Sequence, residues 1–415
     1  MSSHTLISGL RVQSWRQKAI KEHLASSVWD QMSNRVSFND AVPSAKNKTI
    51  PSSVVHKVSD SFDEGSQTTT IPWIGKLSVL PLGGPNKAEG NESRLTTKMR
   101  RVAYNNQRVP IIINDQSVDG DLTKYYRMAE QAVDRVKDVF VETTDWCSQR
   151  AILENADYYL TDEGQWTGAT PASQLSAPES LVLHPNQYVD GTAAKVTYSA
   201  TYATMESSLK TLQDALATTN IFDLNALDRI ALLASRNILK MDGSMNKAKW
   251  VLKISDAQWY QLSTESSTGW RDMLKQTEKG YERMIDGAQG NYKDMMLLID
   301  QRAPIWDLAS AAGSRAKYVT PLADNRPRVQ KTNSNADGTC EIAVLMGAGT
   351  LGKAEIKELD FTKKGFDYDF STGSCGSRAE GTVRMDFDTG ATPTANRINQ
   401  SSFLYHTVTT TDTIG

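Results

Sequence analysis

Apolar positions along the chain change period several times, and each change marks an element. In the segment 12–32, Trp15, Ala19, Ile20, His23, Leu24 and Val28 recur at helical spacing, and a polar run over 33–53 follows. That pattern predicts an amphipathic arm joined by a loose connector. Over 68–80 the period falls to two, with Ile71, Trp73, Leu77 and Val79 on one side and Pro72, Ile74, Lys76 and Ser78 on the other. This is a strand, and Pro72, which has no N–H to donate, places it at a sheet edge. A glycine-rich connection at 81–90 leads to a return run over 94–113 carrying Leu95, Met99, Val102 and Tyr104. The two runs predict an extended two-stranded ribbon. Two strands alone bury too little to offset their ordering entropy, so the ribbon is expected to find its burial on another subunit, the alternative being its own core.

The strongest helical stripe comes next. With Asp119 or Asp121 as N-cap, Leu122, Tyr126, Ala129, Val133, Val136, Phe140 and Cys147 recur every three or four residues, predicting a helix to about residue 146. Along another line Glu130, Asp134, Asp138 and Glu142 stand four apart, so like charges stack turn upon turn. Most such rows are solvated helix faces. The ribbon's return run, however, carries Arg94, Lys98, Arg100, Arg101 and Arg108, so a neighbour's basic ribbon, with Trp73 on its outgoing strand, is a candidate to lie over this acidic helix.

Beyond it, 156–200 is rich in Thr, Ser, Pro and Gly and reads as loops and short strands. Asp223 or Asn225 caps a helix carrying Ala226, Leu227, Ile230, Leu233, Ala234 and Ile238, closing near 242–243. A strand at 250–254, a helical turn at 256–262, a helix at 270–284 and a strand at 292–299 follow, then late strands at 342–346, 365–370 and 381–387. The Ser/Thr-rich end, 389–415, reads as an arm. No internal repeat is evident. The organisation is therefore an arm (1–60), a ribbon (61–118), a long helix (119–155), a loop-rich excursion (156–200), a mixed core (201–340), C-terminal strands (341–388) and a tail (389–415), an α+β chain.

Composition narrows the chemistry. The 415 residues are 39% hydrophobic and 23% charged, a balance of a globular chain with room for more than one core region. Forty-six Lys and Arg against 48 Asp and Glu leave a net charge of −2, which excludes a dedicated polyanion binder. The N-terminus holds no secretory signal and no stretch can span a bilayer, so no membrane partner and a cytosolic site of synthesis are expected. Cys147, Cys340 and Cys375 are far apart and the five histidines are scattered, without metal-ligand spacing, so no metal is expected. Gly347-Ala-Gly349-Thr-Leu-Gly352 after an apolar run matches the dinucleotide fingerprint, but that motif works only between a strand and a helix of a repeated βαβ unit. The roughly 60 residues that remain read as strands and turns, so the glycines are expected to serve tight turns and no cofactor is assigned.

The order of parts resembles the major capsid proteins of tailed bacteriophages with the HK97-like fold. Thr70-Ile-Pro-Trp73 leading to Gly83-Gly84 and Ala88-Glu-Gly-Asn-Glu92 looks like that family's extended hairpin, and 122–146 looks like its spine helix. The stretch 251–262 looks like a strand and helix of its peripheral and axial region. Val344-Leu-Met-Gly-Ala-Gly349, Phe366-Asp-Tyr-Asp-Phe370 and Gly381-Thr-Val-Arg384 resemble its C-terminal strands. The similarity runs from about Trp15 to Phe387, and the excursion and tail match nothing in it. The resemblance implies a structural, non-enzymatic virion subunit. It would be assembled in the bacterial host cytoplasm, forming hexamers and pentamers of an icosahedral capsid around double-stranded DNA held non-specifically. Portal and scaffolding proteins are implied as partners, with a decoration protein a further one; the matching stretch begins near residue 15, which makes the scaffold a separate protein. Two other classes stay open: a nicotinamide-dependent oxidoreductase built on Gly347 to Gly352, and a tail or sheath component.

Overall fold

The computed structural model describes residues 44–46, 54–58, 68–74, 97–114, 122–154, 183–192, 202–241, 249–264, 288–308, 310, 315–317, 339–366, 371–388 and 397–409. The arm expected at 12–32, the ribbon tip, the helix expected at 270–284 and both candidate caps, Asp119 and Asp121, lie outside these residues. Four helices are described: α1 (Leu122–Glu154), α2 (Tyr202–Asp214), α3 (Leu224–Asn237) and α4 (Asp256–Thr264). The strands, in chain order, begin with β1 (Ser44–Lys46), β2 (Val55–Val58), β3 (Thr68–Ile74), β4 (Thr97–Ala103), β5 (Asn105–Asn114) and β6 (Gln187–Val189). They continue with β7 (Trp250–Ser255), β8 (Ala288–Tyr292), β9 (Met295–Asp300), β10 (Ile305–Asp307), β11 (Ala316–Lys317) and β12 (Thr339–Met346). The last are β13 (Leu351–Phe366), β14 (Ser371–Arg384), β15 (Phe387–Asp388), β16 (Arg397–Ile398) and β17 (Ser402–Thr409).

The larger sheet is built on β12. Its one edge pairs along its full length with β17, while β10 and β7 share the other edge end to end. Next to β17 lies β6, next to β10 lies β11, and β9 and β8 extend the sheet beyond β7. Both faces are covered. Phe403, Tyr405, Ala343 and Leu345 pack against Ala226, Leu227, Ile230 and Ala234 of α3, whereas Leu404, Val408, Ile342 and Met346 share a core with Trp146, Ile152 and Leu153 of α1 and Met205 and Leu209 of α2. Asp223 caps α3 as expected, accepting the Ala226 N–H at 2.7 Å.

The smaller sheet runs β1-β2-β13-β14-β5. Helix α1, 33 residues and about 50 Å long, crosses both sheets. It runs to Glu154, beyond the expected end near 146, and from Val141 onward it is buried on nearly every side.

Four expectations are corrected. The return run does not stay in the ribbon: it divides at Tyr104, β4 pairing with β3 while β5 leaves to pair with β14. The base of the ribbon is not short of burial on its own chain, because Ile71 and Val102 are fully buried with Val58, Ala354, Val383 and Met385. The Ser/Thr-rich end is not an arm over 402–409, where all eight residues of β17 are buried inside the larger sheet. The expected strand at 292–299 is a hairpin, β8–β9, turning at Lys293 and Asp294 with φ 43° and 67°. Two successive positive φ values match the right-handed twist of the flanking strands.

Candidate assembly surface

The ribbon and α1 sit on opposite faces of the smaller sheet. On the ribbon side, β3 and β4 pair antiparallel, with Trp73 opposite Lys98, Ile71 opposite Arg100 and Thr70 opposite Arg101. Alternation puts positions 98, 100 and 102 on one ribbon face and 101 on the other. The face holding Val102 turns to the core, and it seats on glycine: a methyl added at Gly352 would stand 2.6 Å from Ile71 Cδ1. Arg100 is half-buried at this base. Arg108 belongs to β5, opposite Ser377 of β14, and is exposed, while its neighbour Gln107 is buried. Lys98, Arg100, Arg101 and Arg108 thus occupy different faces of two strands, and Arg94 lies outside the described residues.

The acidic row stays on one side of α1, and its described side chains already have cations on their own chain. Asp134 accepts from Lys137 at 3.1 Å, Arg135 stands 3.6 Å from Asp138, and Arg302 donates to Glu142 at 2.6 Å. Asp134 is the most open of the three, at 61% side-chain exposure. Glu130 lies one turn before it on the same helix.

Between α1 and the smaller sheet is a charged layer that the sequence reading did not isolate. Arg378 Nη2 reaches Glu380 Oε1 at 2.6 Å and donates to the Phe140 carbonyl at 2.9 Å, with its guanidinium over the Phe140 ring. Lys353 Nζ lies 3.0 Å from Glu380 Oε2, and Lys57 Nζ lies 3.5 Å from Glu355. Arg384, fully buried, holds Asp386 and donates to the Ile152 carbonyl at 2.5 Å. Burial acts to raise the Glu380 carboxyl, but Arg378 and Lys353 outweigh it and hold the group down at about 2. Burial, helped by the Lys353 charge, lowers Lys57 to about 8. The signal was present as period-two charge, Arg378-x-Glu380 and Lys353-x-Glu355, which reads equally as a solvent face.

The glycine fingerprint joins strand to strand. β12 ends at Met346 and β13 begins at Leu351, with Gly349 at φ 69° between them. The Thr350 hydroxyl donates to the carbonyls of Gly347 and Ser401. Among the described residues the turn leads into β13 and not into a helix N-terminus that could receive a phosphate, and its glycines serve close backbone contact. Among the described residues no group of His, Cys, Asp and Glu is arranged to hold a metal, and no helix is long and apolar enough to cross a membrane.

A model of the phage capsid protein family matches residues 4–398. No curated protein matches the sequence. Among solved structures, the capsid of Ralstonia phage GP4 superposes with a TM-score of 0.59 at 15% identity, covering 88% of this chain and 90% of that one. The cyanophage Pam1 capsid gives 0.53 at 15% identity over 88% and 91%, and the head of Helicobacter pylori bacteriophage KHP40 gives 0.53 at 12% identity over 91% of each chain. At these identities the likeness is one of fold, and the fold is HK97-like. With a sequence match over nearly its whole length and this chain path, the protein belongs to the phage capsid protein family and is a structural major capsid protein of the virion.

Proposed function

We propose that the chain assembles into hexamers and pentamers that close an icosahedral shell around the double-stranded DNA of a tailed bacteriophage. Assembly takes place in the host cytoplasm, with portal and scaffolding proteins as partners and a decoration protein as a further one. It performs no turnover. The observation that carries this reading is the ribbon: among the described residues β3 and β4 form a sheet of two strands, anchored on the core by Ile71 and Val102. A two-stranded ribbon of this kind is suited to reach a neighbouring copy, and repeated heterologous contacts close rings and shells. A net charge of −2 suits a container that holds its genome without gripping it.

The contacts proposed between copies join Trp73, Lys98, Arg100, Arg101 and Arg108 to the row Glu130, Asp134, Asp138 and Glu142. Because the described acids have partners on their own chain, the basic strand would share them, setting register more than affinity. Arg101→Glu alone is expected to impair assembly and Asp134→Lys to restore it; absence of rescue by any ribbon–helix charge swap rejects these contacts. Negative-stain microscopy with light scattering tests the shell itself. Closed particles are expected, whereas tubes would indicate a tail component and a persistent small oligomer would reject self-assembly.

A further inference from the structure

Where α1 crosses the larger sheet, Lys253 of β7 and Asp300 of β9 meet across two neighbouring parallel strands, with Nζ 2.6 Å from Oδ2. Both side chains are buried, at 3% and 5% exposure. The other oxygen of Asp300, Oδ1, accepts the Arg302 backbone N–H at 2.9 Å. A second carboxylate, Asp145 of α1, places Oδ1 3.9 Å from the same Nζ. Gln149 Nε2 donates to Asp145 and to Asp300 Oδ2, each at 3.1 Å, and so holds the two acids side by side. Ile152, Leu153, Ala303, Pro304, Ile342 and Val344 complete the wall of a cavity of about 10 Å³, room for one water.

We propose that Lys253 and Asp300 condense into an intrachain amide bond, with Asp145 carrying the protons. The Lys253 ammonium gives a proton to Asp145, and the freed amine attacks Cγ of Asp300. The charge that develops on Oδ1 is met by the Arg302 N–H, a fixed donor aimed at that atom. Asp145 passes its proton to Oδ2, takes the second proton from the nitrogen and delivers that too, so Oδ2 leaves as water. One C–N bond forms and one C–O bond breaks. An ammonium and a carboxylate become an amide and water, Asp145 ends as it began, and no oxidant or other reactant is needed. Packing supplies the positioning that makes an amine and a carboxyl react without external activation, and burial removes the bulk solvation of both groups.

The buried contact of Lys353 with Glu380 lacks this chemistry. Lys353 lies 3.0 Å from Glu380 Oε2, but Arg378 and the Thr144 hydroxyl also hold that carboxylate through Oε1, so it is tied to a second cation. Among the described residues no arginine side chain is bonded to the leaving oxygen of Asp300, and a second carboxylate stands beside the amine instead. The bond would tie β7 to β9 in the middle of the larger sheet, so that load on a shell under internal pressure is borne by a covalent link as well as by the strand ladder.

Intact-mass measurement of the denatured full-length chain, taken from assembled particles, tests the proposal together with a protease map. The expected result is a mass deficit of one water and a branched peptide joining Lys253 to Asp300, with tryptic cleavage lost after Lys253. Asp145→Asn is expected to return the full mass. A wild-type mass equal to that of the sequence overturns the proposal. So does a deficit that maps to a linear peptide with a cyclised Asp-Gly step such as Asp242-Gly243. Should Asp145→Asn fold and still show the branched peptide, the role given to Asp145 is overturned.

Discussion

The Thr144 hydroxyl donates to Glu380 Oε1 at 2.7 Å, joining the C-terminal half of α1 to the C-terminal half of β14 in the buried interior. The pair is one rung of a longer match. Phe140 meets Arg378, Thr144 meets Glu380 and the Ile152 carbonyl meets Arg384, so helix steps of four run beside strand steps of two. Four helical residues rise roughly 6 Å and two strand residues roughly 6.7 Å, close enough to stay in register over this distance. Gly376 extends the match: a methyl there would lie 2.7 Å from Val136 and 3.0 Å from Phe140. Helix and strand are thus keyed by charge at alternate strand positions.

Thr144→Val keeps the shape and removes the donor. A hydrogen bond to a charged group contributes about 1.5–3 kcal/mol, so urea denaturation should show a loss of that size, with Thr144→Ser restoring most of it. Removing a charge is worse: Arg378→Met strips Glu380 of its shortest cation contact and should cost about 3–5 kcal/mol. A neutral result for both would mean that α1 is not keyed to β14 through this layer.

Acid should weaken the fold in two stages. His406 is buried against Gln187, Gln213 and Cys340, and burial lowers its pKa from 6.5 to about 3. The unfolded chain therefore binds this proton first, so the stability it contributes is whole above pH 6.5 and falls as pH drops from there toward 3. Glu380, held at about 2 against an ordinary 4.5, adds a second loss between those values. His56 is buried and lowered in the same way, so His406→Gln should shrink the first stage and leave the second, read as melting temperature against pH.

Parts of this architecture were legible because one face dominates their pattern. The stripe from Val133 to Phe140 gave α1, Asp223 with Ala226, Leu227 and Ile230 gave α3, and the alternation about Ile71 gave β3. Where both faces are buried the period disappears. Ser402-Phe-Leu-Tyr-His-Thr-Val-Thr409 sends Phe403 and Tyr405 to one core and Leu404 and Val408 to the other, with hydroxyls and an imidazole bonded inside, so it read as a polar tail. Helix α2 was hidden in the same way, its Met205 and Leu209 set among Ser and Thr that bond back to their own helix. The charged positions of the proposed surface were visible as residue types, but only the register of β3, β4 and β5 shows that they do not share one face.

Thiol reactivity should separate the cysteines. Cys147 and Cys340 are buried, and burial pushes both thiols up, Cys147 to about 12. Cys375 is half-buried on β14. A thiolate is the reacting species, so a disulfide-exchange reagent should titrate one thiol in the native chain and three after denaturation. Native reaction at Cys340 would show that the larger sheet opens.

The glycine turn offers a test that separates its two readings. At Gly347 an added methyl would collide with the Leu239 carbonyl and stand 2.7 Å from Ile238 Cγ2, and backbone does not move aside as a flexible side chain does. Gly347→Ala should cost about 1–3 kcal/mol as an overpacked core position. Gly349→Ala forces a side chain into φ 69° and should cost about 1–2 kcal/mol through the backbone alone. Both losses should be the same with and without a dinucleotide, because the turn runs from strand to strand and the N–H groups of Gly347, Ala348 and Leu351 already donate to the carbonyls of Ser401, Leu239 and Val54. A dinucleotide that raised the melting temperature of the wild type, and failed to do so for Gly347→Ala, would return the motif to its phosphate-binding reading.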